Sequence, residues 1–169
     1  MDAETIARLN AINRQFYAIT AAEFDQTRGQ PWPGWSRLLP HLPAAEPLRV
    51  FDLGCGNGRF GLFLRASYKG TIAYHGQDNS PELLAFAHSA LADQPQMTVR
   101  LTEADLLDGL PDAEYDMIGL FGVLHHVPSH EQRRYLLREL AHRLAPGGLL
   151  AFACWRFMDY ERFQKRLAH

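Results

Sequence analysis

Several features that mark particular protein classes are scarce or missing in this chain of 169 residues. No apolar run approaches the roughly 18 residues that a membrane span needs, and the polar, acidic N-terminal segment lacks the pattern of a signal peptide. The two cysteines, Cys55 and Cys154, fit neither a metal-binding spacing nor a disulfide framework. We therefore expect a reducing, cytoplasmic location and place both cysteines at buried strand ends.

Lysine is also rare, since only 2 of the 17 basic residues are Lys. The formal net charge is −2, so the chain lacks the strong positive field of a typical nucleic-acid-binding protein. Several arginines cluster late in the sequence, and we interpret them as the solvated face of a helix. With 47% hydrophobic and 21% charged residues, the composition is that of an ordinary globular domain.

The chain length predicts one domain over residues 1–169, with a helical N-terminal cap over 1–47 and an α/β core over 48–169. Apolar residues at helical spacing predict an amphipathic helix over 2–19. The stretch TRGQPWP that follows breaks the helical pattern, because two prolines flank its tryptophan. A short helix over 34–41 completes the predicted cap.

Strands and helices alternate from residue 48 onward. The predicted strands are 48–53, 71–76, 97–102, 115–121 and 149–155, and the predicted helices are 58–67, 81–93, 130–144 and 158–168. The residues APGG predict a turn before the last strand. Strict alternation predicts a doubly wound, mainly parallel α/β sheet with helices on both faces.

The stretch VFDLGCGNGRF, residues 50–60, has three glycines at alternate positions directly after the first predicted strand. Gly54, Gly56 and Gly58 would form a turn in which the backbone approaches a ligand closely. In a second register, Gly56, Gly58 and Gly61 match the dinucleotide-binding pattern G-x-G-x-x-G. The glycines alone therefore leave both a nicotinamide cofactor and S-adenosylmethionine (SAM) open.

Three acidic residues at successive strand ends favour SAM. Asp52 lies within the end of the first strand, where it would attract an amino group and repel a pyrophosphate. Asp78 follows Gly58 by 20 residues, the spacing at which a carboxylate binds both ribose hydroxyls. Asp105 follows the third strand, where it would accept a hydrogen bond from the adenine amino group. All three would lie on one edge of the sheet, which is the usual ligand-binding edge.

The motifs VFDLGCGNG, YHGQDNS, EADLLD, YDMIGLFGVLHHV and LAPGGLLAF resemble, in order and spacing, those of class I SAM-dependent methyltransferases. The resemblance covers residues 48–155 and implies a Rossmann-like methyltransferase sheet with SAM as the cofactor. It implies that Asp52 and the glycines bind the methionyl part, Asp78 the ribose and Asp105 the adenine. The complete set of cofactor-binding residues predicted around these motifs is Asp52, Gly54, Cys55, Gly56, Asp78, Asn79, Asp105, Leu106 and Phe121.

Methyl transfer from a sulfonium is an in-line displacement that depends on positioning and on exclusion of water. An acceptor that is already an anion, such as a carboxylate, needs no base. A hydroxyl or an amine needs one, and His125 or His126 after the fourth strand is the candidate. Because this LHH sequence recurs in many methyltransferases, we expect one of the two histidines to pack or to cap the chain.

The stretch FDQTRGQPWPGW, residues 24–35, resembles the entry segment of enzymes that esterify carboxymethyl-uridine at the wobble position of tRNA. That resemblance implies that Arg28 binds a carboxylate, either that of SAM or that of the acceptor. Trp155 also falls where that family has a tryptophan, but the residues RFMDYERF that follow depart from the family pattern. A small molecule and a modified tRNA uridine both remain open as acceptors.

The sheet of the methyltransferase family has seven strands, and the last two form an antiparallel hairpin for which this sequence has no segment. We therefore expect either a C-terminally truncated core or a partner subunit that covers the open edge of the fifth strand. The favoured hypothesis is a SAM-dependent methyltransferase. The alternatives are a non-catalytic SAM-binding module that acts with a partner chain, and a nicotinamide-dependent oxidoreductase, which the second glycine register alone supports.

Overall fold

The computed structural model describes residues 2–27, 29–106, 108–154 and 159–164. The strands are β1 Leu48–Leu53, β2 Ile72–Asp78, β3 Met97–Glu103, β4 Tyr115–Phe121 and β5 Leu144–Ala153. The helices are α1 Ala3–Thr27, α2 Arg59–Ser67, α3 Pro81–Leu91, α4 His130–His142 and α5 Glu161–Gln164. The strands form one sheet in the order β3-β2-β1-β4-β5, and every neighbouring pair is parallel. The predicted doubly wound parallel sheet is therefore confirmed.

Helices cover both faces of this sheet, as predicted. Successive side chains of a strand point to opposite faces, so Val50 and Phe51 of β1 belong to different apolar clusters. Val50 packs in the cluster that contains Leu64 of α2, and Phe51 packs in the cluster that contains Leu140 of α4. The central strands are consequently buried on both faces and present their carboxyl ends at one edge.

The N-terminal cap differs from the prediction in length and helix type. The helix predicted over 2–19 continues to Thr27, because no helix-breaking residue occurs before Gly29. The single helix predicted over 34–41 was wrong, since the chain forms two 3-10 turns there, Pro33–Arg37 and Leu39–His41. A proline in the first turn of each segment limits the backbone hydrogen bonds that a longer helix needs.

The predicted turn at Ala145–Gly148 was also wrong, because β5 already begins at Leu144. Leu144 pairs with Tyr115 of β4, and the next pair joins Leu149 to Met117. The four residues between these pairs therefore lie opposite a single residue of β4 and form a bulge. Gly147 accommodates the bulge with a φ of +80°. Most of the helix predicted over 158–168, and Trp155, lie outside the described residues.

Most of the apolar stripe of α1 faces away from the rest of the protein, although Phe16 also faces the carboxyl ends of the strands. Leu9, Ile12, Phe16 and Ile19 are 38% to 76% exposed, and Ala21 is the one buried residue in the described part of the helix. The opposite, polar face of α1 lies over the carboxyl ends of the strands. The amphipathic helix is thus confirmed, but its polar side is the one that contacts the sheet.

Both cysteines are free thiols in different environments. Cys55 is buried, whereas Cys154 just beyond β5 is exposed, so the predicted burial was wrong for Cys154. The described residues contain no group of three or more His, Cys, Asp or Glu that could hold a metal ion. Within the same residues, no helix combines the length and the apolar character required to cross a bilayer.

Candidate functional site

A cavity of about 650 Å³ lies at the carboxyl ends of β1, β2 and β4, with α1 as its opposite wall. Its volume is within the usual range of small-ligand sites. Gly54, Asp78 and Phe121 line it from the sheet, and Asn13 and Tyr17 line it from α1. Ligand sites of doubly wound sheets occur at this edge, so the cavity is the candidate site.

The glycine-rich turn forms the floor of this cavity. Gly54, Gly56 and Gly58 have φ values of +74°, +53° and +79°, which residues other than glycine rarely adopt. A Cβ on Gly56 would have Phe24 of α1 as its nearest neighbour, at 3.5 Å. Gly54 and Gly56 line the cavity, and at Gly56 the backbone is open to a closely bound ligand, whereas a Cβ on Gly54 would collide with Val123 and one on Gly58 with Leu91 of α3.

Asp78 holds this turn in place from the end of β2. Its Oδ2 accepts a hydrogen bond from Gly56 N at 2.8 Å, and its Oδ1 accepts one from Ser80 N at 3.0 Å. Burial raises the pKa of Asp78 above its ordinary value, and these backbone N–H groups partly oppose the rise. Asp78 and the adjacent Asn79 both line the cavity, where the sequence analysis placed the ribose.

Asp52 lies deeper, beneath the turn. It is 2% exposed, and its Oδ2 accepts a hydrogen bond of 2.6 Å from the Tyr74 hydroxyl. Burial raises the pKa of Asp52 to about 7; the Tyr74 hydrogen bond opposes the rise and the Asp78 charge adds to it. Asp52 and Cys55 line a smaller adjoining cavity, and neither is among the residues that line the main one.

Asp105 connects α1 to the end of the sheet. Its Oδ2 accepts hydrogen bonds from the side-chain amides of Asn10 at 2.7 Å and Asn79 at 3.3 Å, and it lies 3.6 Å from Arg14 Nη1. Asp105 is buried and is not among the residues that line the main cavity, whereas Leu106 lines it. The predicted adenine-binding acid therefore already has partners on α1.

The two histidines, His125 and His126, both line the cavity. Nε2 of His126 lies 2.9 Å from the Tyr17 hydroxyl, and its Nδ1 lies 3.3 Å from Asn13 Oδ1. Burial lowers the pKa of His126, and burial together with His126 lowers the pKa of the more exposed His125 to about 4. Both imidazoles are consequently neutral near pH 7.

Two parts of the site were not predicted from the sequence, namely the polar face of α1 and Arg59. The guanidinium of Arg59 lies 5.1 Å from the ring centroid of Trp32 and 5.5 Å from that of Trp35. Arg59 lines both cavities, and a cation directly after a glycine-rich turn was a signal that could have identified it. Arg28, the predicted anion-binding residue, lies outside the described residues, and Thr27 before it lines the main cavity.

The comparisons with known proteins agree with this geometry. Residues 50–148 match a family model described as a methyltransferase domain. The chain is 40% identical over 114 residues to the trans-aconitate 2-methyltransferase of Methylobacterium nodulans, a match that covers 68% of this chain and 41% of that protein. It is 26% identical over 150 residues to the tRNA (carboxymethyluridine(34)-5-O)-methyltransferase of Schizosaccharomyces pombe, covering 86% of this chain and 58% of that protein.

The matched part of the trans-aconitate relative is about two fifths of its length. Among solved structures, a complex of DhpI with SAH aligns with a TM-score of 0.63 at 25% identity, covering 85% of this chain and 68% of that one. The predicted resemblance to methyltransferases and the predicted SAM cofactor are both confirmed. The chain belongs to the class I SAM-dependent methyltransferases.

Proposed function

We propose that the protein transfers the methyl group of SAM to an oxygen of a carboxylate-bearing acceptor, either a small molecule or a modified tRNA uridine. The two relatives act, by their names, on trans-aconitate and on carboxymethyluridine. Both of these compounds carry a carboxylate. The observation that carries the proposal is the state of the two histidines in the cavity.

A carboxylate is ionised near neutral pH, so its methylation requires no proton removal. A hydroxyl acceptor would require a base of suitable pKa within hydrogen-bond reach. His126 already contacts Tyr17 and Asn13 through its two ring nitrogens, and the low pKa of His125, about 4, makes it a weak base. These features favour an acceptor that is already an anion, with the histidines as walls of its site rather than as bases.

When bound, SAM supplies an electrophilic methyl group on its sulfonium, so the chain's own residues provide orientation and exclusion of water. The positive φ of the glycine-rich turn and the Asp78 carboxylate beside it fit such a cofactor. We assign the turn with Asp52 to the methionyl part, Asp78 and Asn79 to the ribose, and Phe121 to the wall beside the sulfonium. Leu106, through its amide, and Asp105 are assigned to the adenine.

An anionic acceptor also needs a cation near it. Among the described residues that line the main cavity, Arg59 is the one with a permanent positive charge. Arg28 follows Thr27, which lines the same cavity. We assign the acceptor carboxylate to Arg28, whose guanidinium can bind both carboxylate oxygens.

The chemistry of the product tests this proposal. Purified protein would be incubated with methyl-labelled SAM and either trans-aconitate or tRNA that carries carboxymethyluridine, with the corresponding amides as matched controls. We expect label in the carboxylates alone, released as methanol by mild alkali, as a methyl ester requires. Label that resists alkali or that enters the amides would contradict the proposal. SAM binding without transfer to either carboxylate would favour the non-catalytic module.

The histidines provide a second test of the same proposal. His125→Ala should reduce turnover of the carboxylate acceptor by less than about tenfold, because no general base is needed. A loss of about 10²-fold or more, which is typical when general acid–base catalysis is removed, would show that His125 acts as a base. The pH dependence of kcat then provides an independent check of whether His125 acts as a base.

We also propose that the outer edge of β5 is covered, either by a C-terminal segment of a longer protein or by another subunit, and that the protein works in the cytoplasm. Within the described part of the chain, β5 pairs with β4 alone, and its Phe152 is 49% exposed. Open strand edges are usually covered in native proteins. Light scattering of the purified protein should show an oligomer or a complex if a subunit covers this edge, and a monomer would favour the C-terminal segment. The free thiols of Cys55 and Cys154 support a reducing compartment, which cell fractionation would check.

A further inference from the structure

The end of β4 contributes a part of the main cavity that the cofactor assignments leave open beyond Phe121. Gly122, His125, His126 and Pro128, which follow the strand, all line the cavity. In-line methyl transfer requires the acceptor to lie next to the sulfonium, and the proposed function assigns Phe121 to the wall beside that group. We therefore expect the acceptor at the end of β4, where the surrounding side chains determine which acceptor binds.

Trp32 of the N-terminal cap forms a wall of this part of the cavity. A Cβ atom on Gly122 would lie 3.6 Å from Trp32 Cη2 and 3.9 Å from its Cζ2, so the indole ring lies against the backbone that follows β4. The ring centroid is 6.0 Å from that of Phe121, in an edge-to-face arrangement. Pro31 and Pro33 flank Trp32 in the sequence and restrict the backbone on both sides of it.

Two side chains hold the indole ring of Trp32 in place. Trp35 is 3% exposed and stacks on it with ring centroids 5.7 Å apart. The Arg59 guanidinium lies 5.1 Å from the centroid of the Trp32 ring, and its Nη1 donates a hydrogen bond to Gln30 O at 3.3 Å. A guanidinium is attracted by the electron-rich face of an aromatic ring. Arg59 thus positions Trp32 and links the residues just before it to the start of α2.

Aromatic side chains are frequent around the main cavity. Phe16 and Tyr17 of α1 line it, and the lowered pKa values of His125 and His126 keep both imidazoles neutral near pH 7. Aromatic rings attract another π system beyond the effect of the buried area. A saturated chain lacks this attraction, and it loses rotational freedom when a site orders it. The lining therefore favours a flat, unsaturated molecule.

We propose that Trp32 is a specificity-determining residue of the acceptor site, which selects acids with a flat, unsaturated body over saturated, flexible acids. The inference rests on the proposed function, because it requires the sulfonium beside Phe121. Two sources supply this chemistry, namely an unsaturated aliphatic acid and a pyrimidine base that carries a carboxymethyl group. Trp32 contacts the unsaturated body in both cases, and the carboxylate is bound elsewhere in the site.

Two pairs of acids test the proposal, and the members of each pair differ only by two hydrogen atoms. trans-Aconitate and tricarballylate carry the same carboxylates, as do 5-carboxymethyluracil and its 5,6-dihydro form. Calorimetry on protein loaded with SAH, the demethylated cofactor, measures their dissociation constants without methyl transfer. We expect the unsaturated member of one pair to bind about two- to tenfold more tightly than its saturated partner, which is the effect of one aromatic contact. The pair that shows this ratio identifies the source.

Substitutions at Trp32 should change this ratio in a defined order. Trp32→Leu retains an apolar side chain and removes the π system, so the ratio should fall to about one. Trp32→Phe should retain most of it. Phe63→Leu is the matched control, because the Phe63 ring packs 5.6 Å from that of Trp35 but lines neither cavity, and it should leave the ratio unchanged. The affinity for SAH should change by less than about twofold in all three variants.

The outcomes separate this inference from the function on which it rests. A ratio that persists in Trp32→Leu would overturn the inference, as would equal binding within both pairs, or no binding of any of the four acids, in the unmodified protein. Trp32→Met replaces Trp32→Leu if that variant does not fold, and the same loss is expected. Alkali-stable label together with a ratio lost in Trp32→Leu would overturn the proposed function alone. An alkali-labile ester together with a retained ratio would overturn the inference alone.

Discussion

α2 and α4 each bury an apolar side against the sheet, whereas α1 turns most of its apolar stripe outward and faces the strand ends mainly through polar and aromatic side chains. Leu64 of α2 and Leu140 of α4 are fully buried. On α1, by contrast, Ile19 is 76% exposed. α1 is held by hydrogen bonds such as that from Asn10 to Asp105 at 2.7 Å and the contact of Tyr17 with His126 at 2.9 Å.

This difference assigns separate roles to the sheet with its packed helices, which forms a rigid floor, and to α1, which covers the site. Buried leucines contribute several kcal/mol each, while one intramolecular hydrogen bond contributes about 0.5–1.5 kcal/mol net. We therefore expect α1 to open at a much smaller free-energy cost than unfolding of the sheet requires. A covering element with this property lets ligands enter a site whose floor stays rigid.

The largest expected change in the free energy of unfolding is that of a substitution in the apolar core. Leu64→Ala should reduce the free energy of unfolding by about 2–5 kcal/mol, because it leaves a cavity in the packing of α2 on the sheet. The same kind of change on α1, Ile19→Ala, should cost less than about 0.5 kcal/mol. Denaturant titration measures both. Equal costs would mean that the α1 stripe is buried in solution, and the comparison between the two regions would then fail.

The same division explains which parts of the fold the sequence predicts. The buried strands β1 and β4 appear as short, largely apolar runs that end at a glycine, and the positive-φ turn follows from the glycine spacing alone. The helical period of α1 also predicts a helix. The period does not indicate which face contacts the sheet, because that depends on partners far along the chain.

The candidate site shows the same limit. Asp78 is predictable because its distance from the turn along the chain is set by one strand–helix–strand unit. The contact between Tyr17 and His126 joins residues 109 positions apart, and that between Asn57 and Asp25 joins residues 32 positions apart. No local pattern encodes such pairs. The bulge in β5 is likewise a property of its register with β4 and not of its own residues.

The next largest effect, a change in SAM affinity, should come from a substitution at the strand ends that α1 covers. Asp78→Ala should weaken SAM binding by tenfold or more, since it removes two ribose hydrogen bonds and the acceptor for Gly56 N. Glu103→Ala is the matched control, because Glu103 pairs with Asp78 in register, is exposed and does not line the main cavity. Calorimetry measures both affinities. Unchanged binding in Asp78→Ala would show that the ribose is bound elsewhere.

The pH dependence of the free energy of unfolding should distinguish the buried residues around Asp52, beneath the glycine-rich turn, from α1. The pKa of Asp52 is raised to about 7, so its protonated form stabilises the fold at low pH and this contribution is lost as the pH rises from about 4 through 7. Among its neighbours, Tyr74 and Cys55 have pKa values raised well above their ordinary ones, and Asp78 and Arg59 supply the adjacent charges.

The proposed function assigns Asp52 to the methionyl part of SAM, and the ammonium of that part would favour the ionised form of Asp52. SAM binding should then have the opposite pH dependence to the stability of the fold. SAM affinity should therefore rise about tenfold from pH 5.5 to 7, whereas the affinity for 5′-methylthioadenosine, which lacks the amino-acid tail of SAM, should stay constant. Asp52→Asn should remove the rise. Calorimetry across this range measures it, and a SAM affinity that is independent of pH would mean that Asp52 does not contact the tail.

The smallest expected effect is that of a single contact on α1. Tyr17→Phe removes the hydroxyl that contacts His126 Nε2 and retains the ring that packs against His126 and Phe24. Because one hydrogen bond contributes about 0.5–1.5 kcal/mol, SAM binding should weaken by about three- to tenfold, and hydrogen exchange along α1 should accelerate. Tyr135→Phe is the matched control, since Tyr135 is 66% exposed on α4 and lines neither cavity. A loss of turnover by about 10²-fold or more at unchanged SAM affinity would instead place the Tyr17 hydroxyl in contact with the acceptor, and α1 would then belong to the catalytic site as well as covering it.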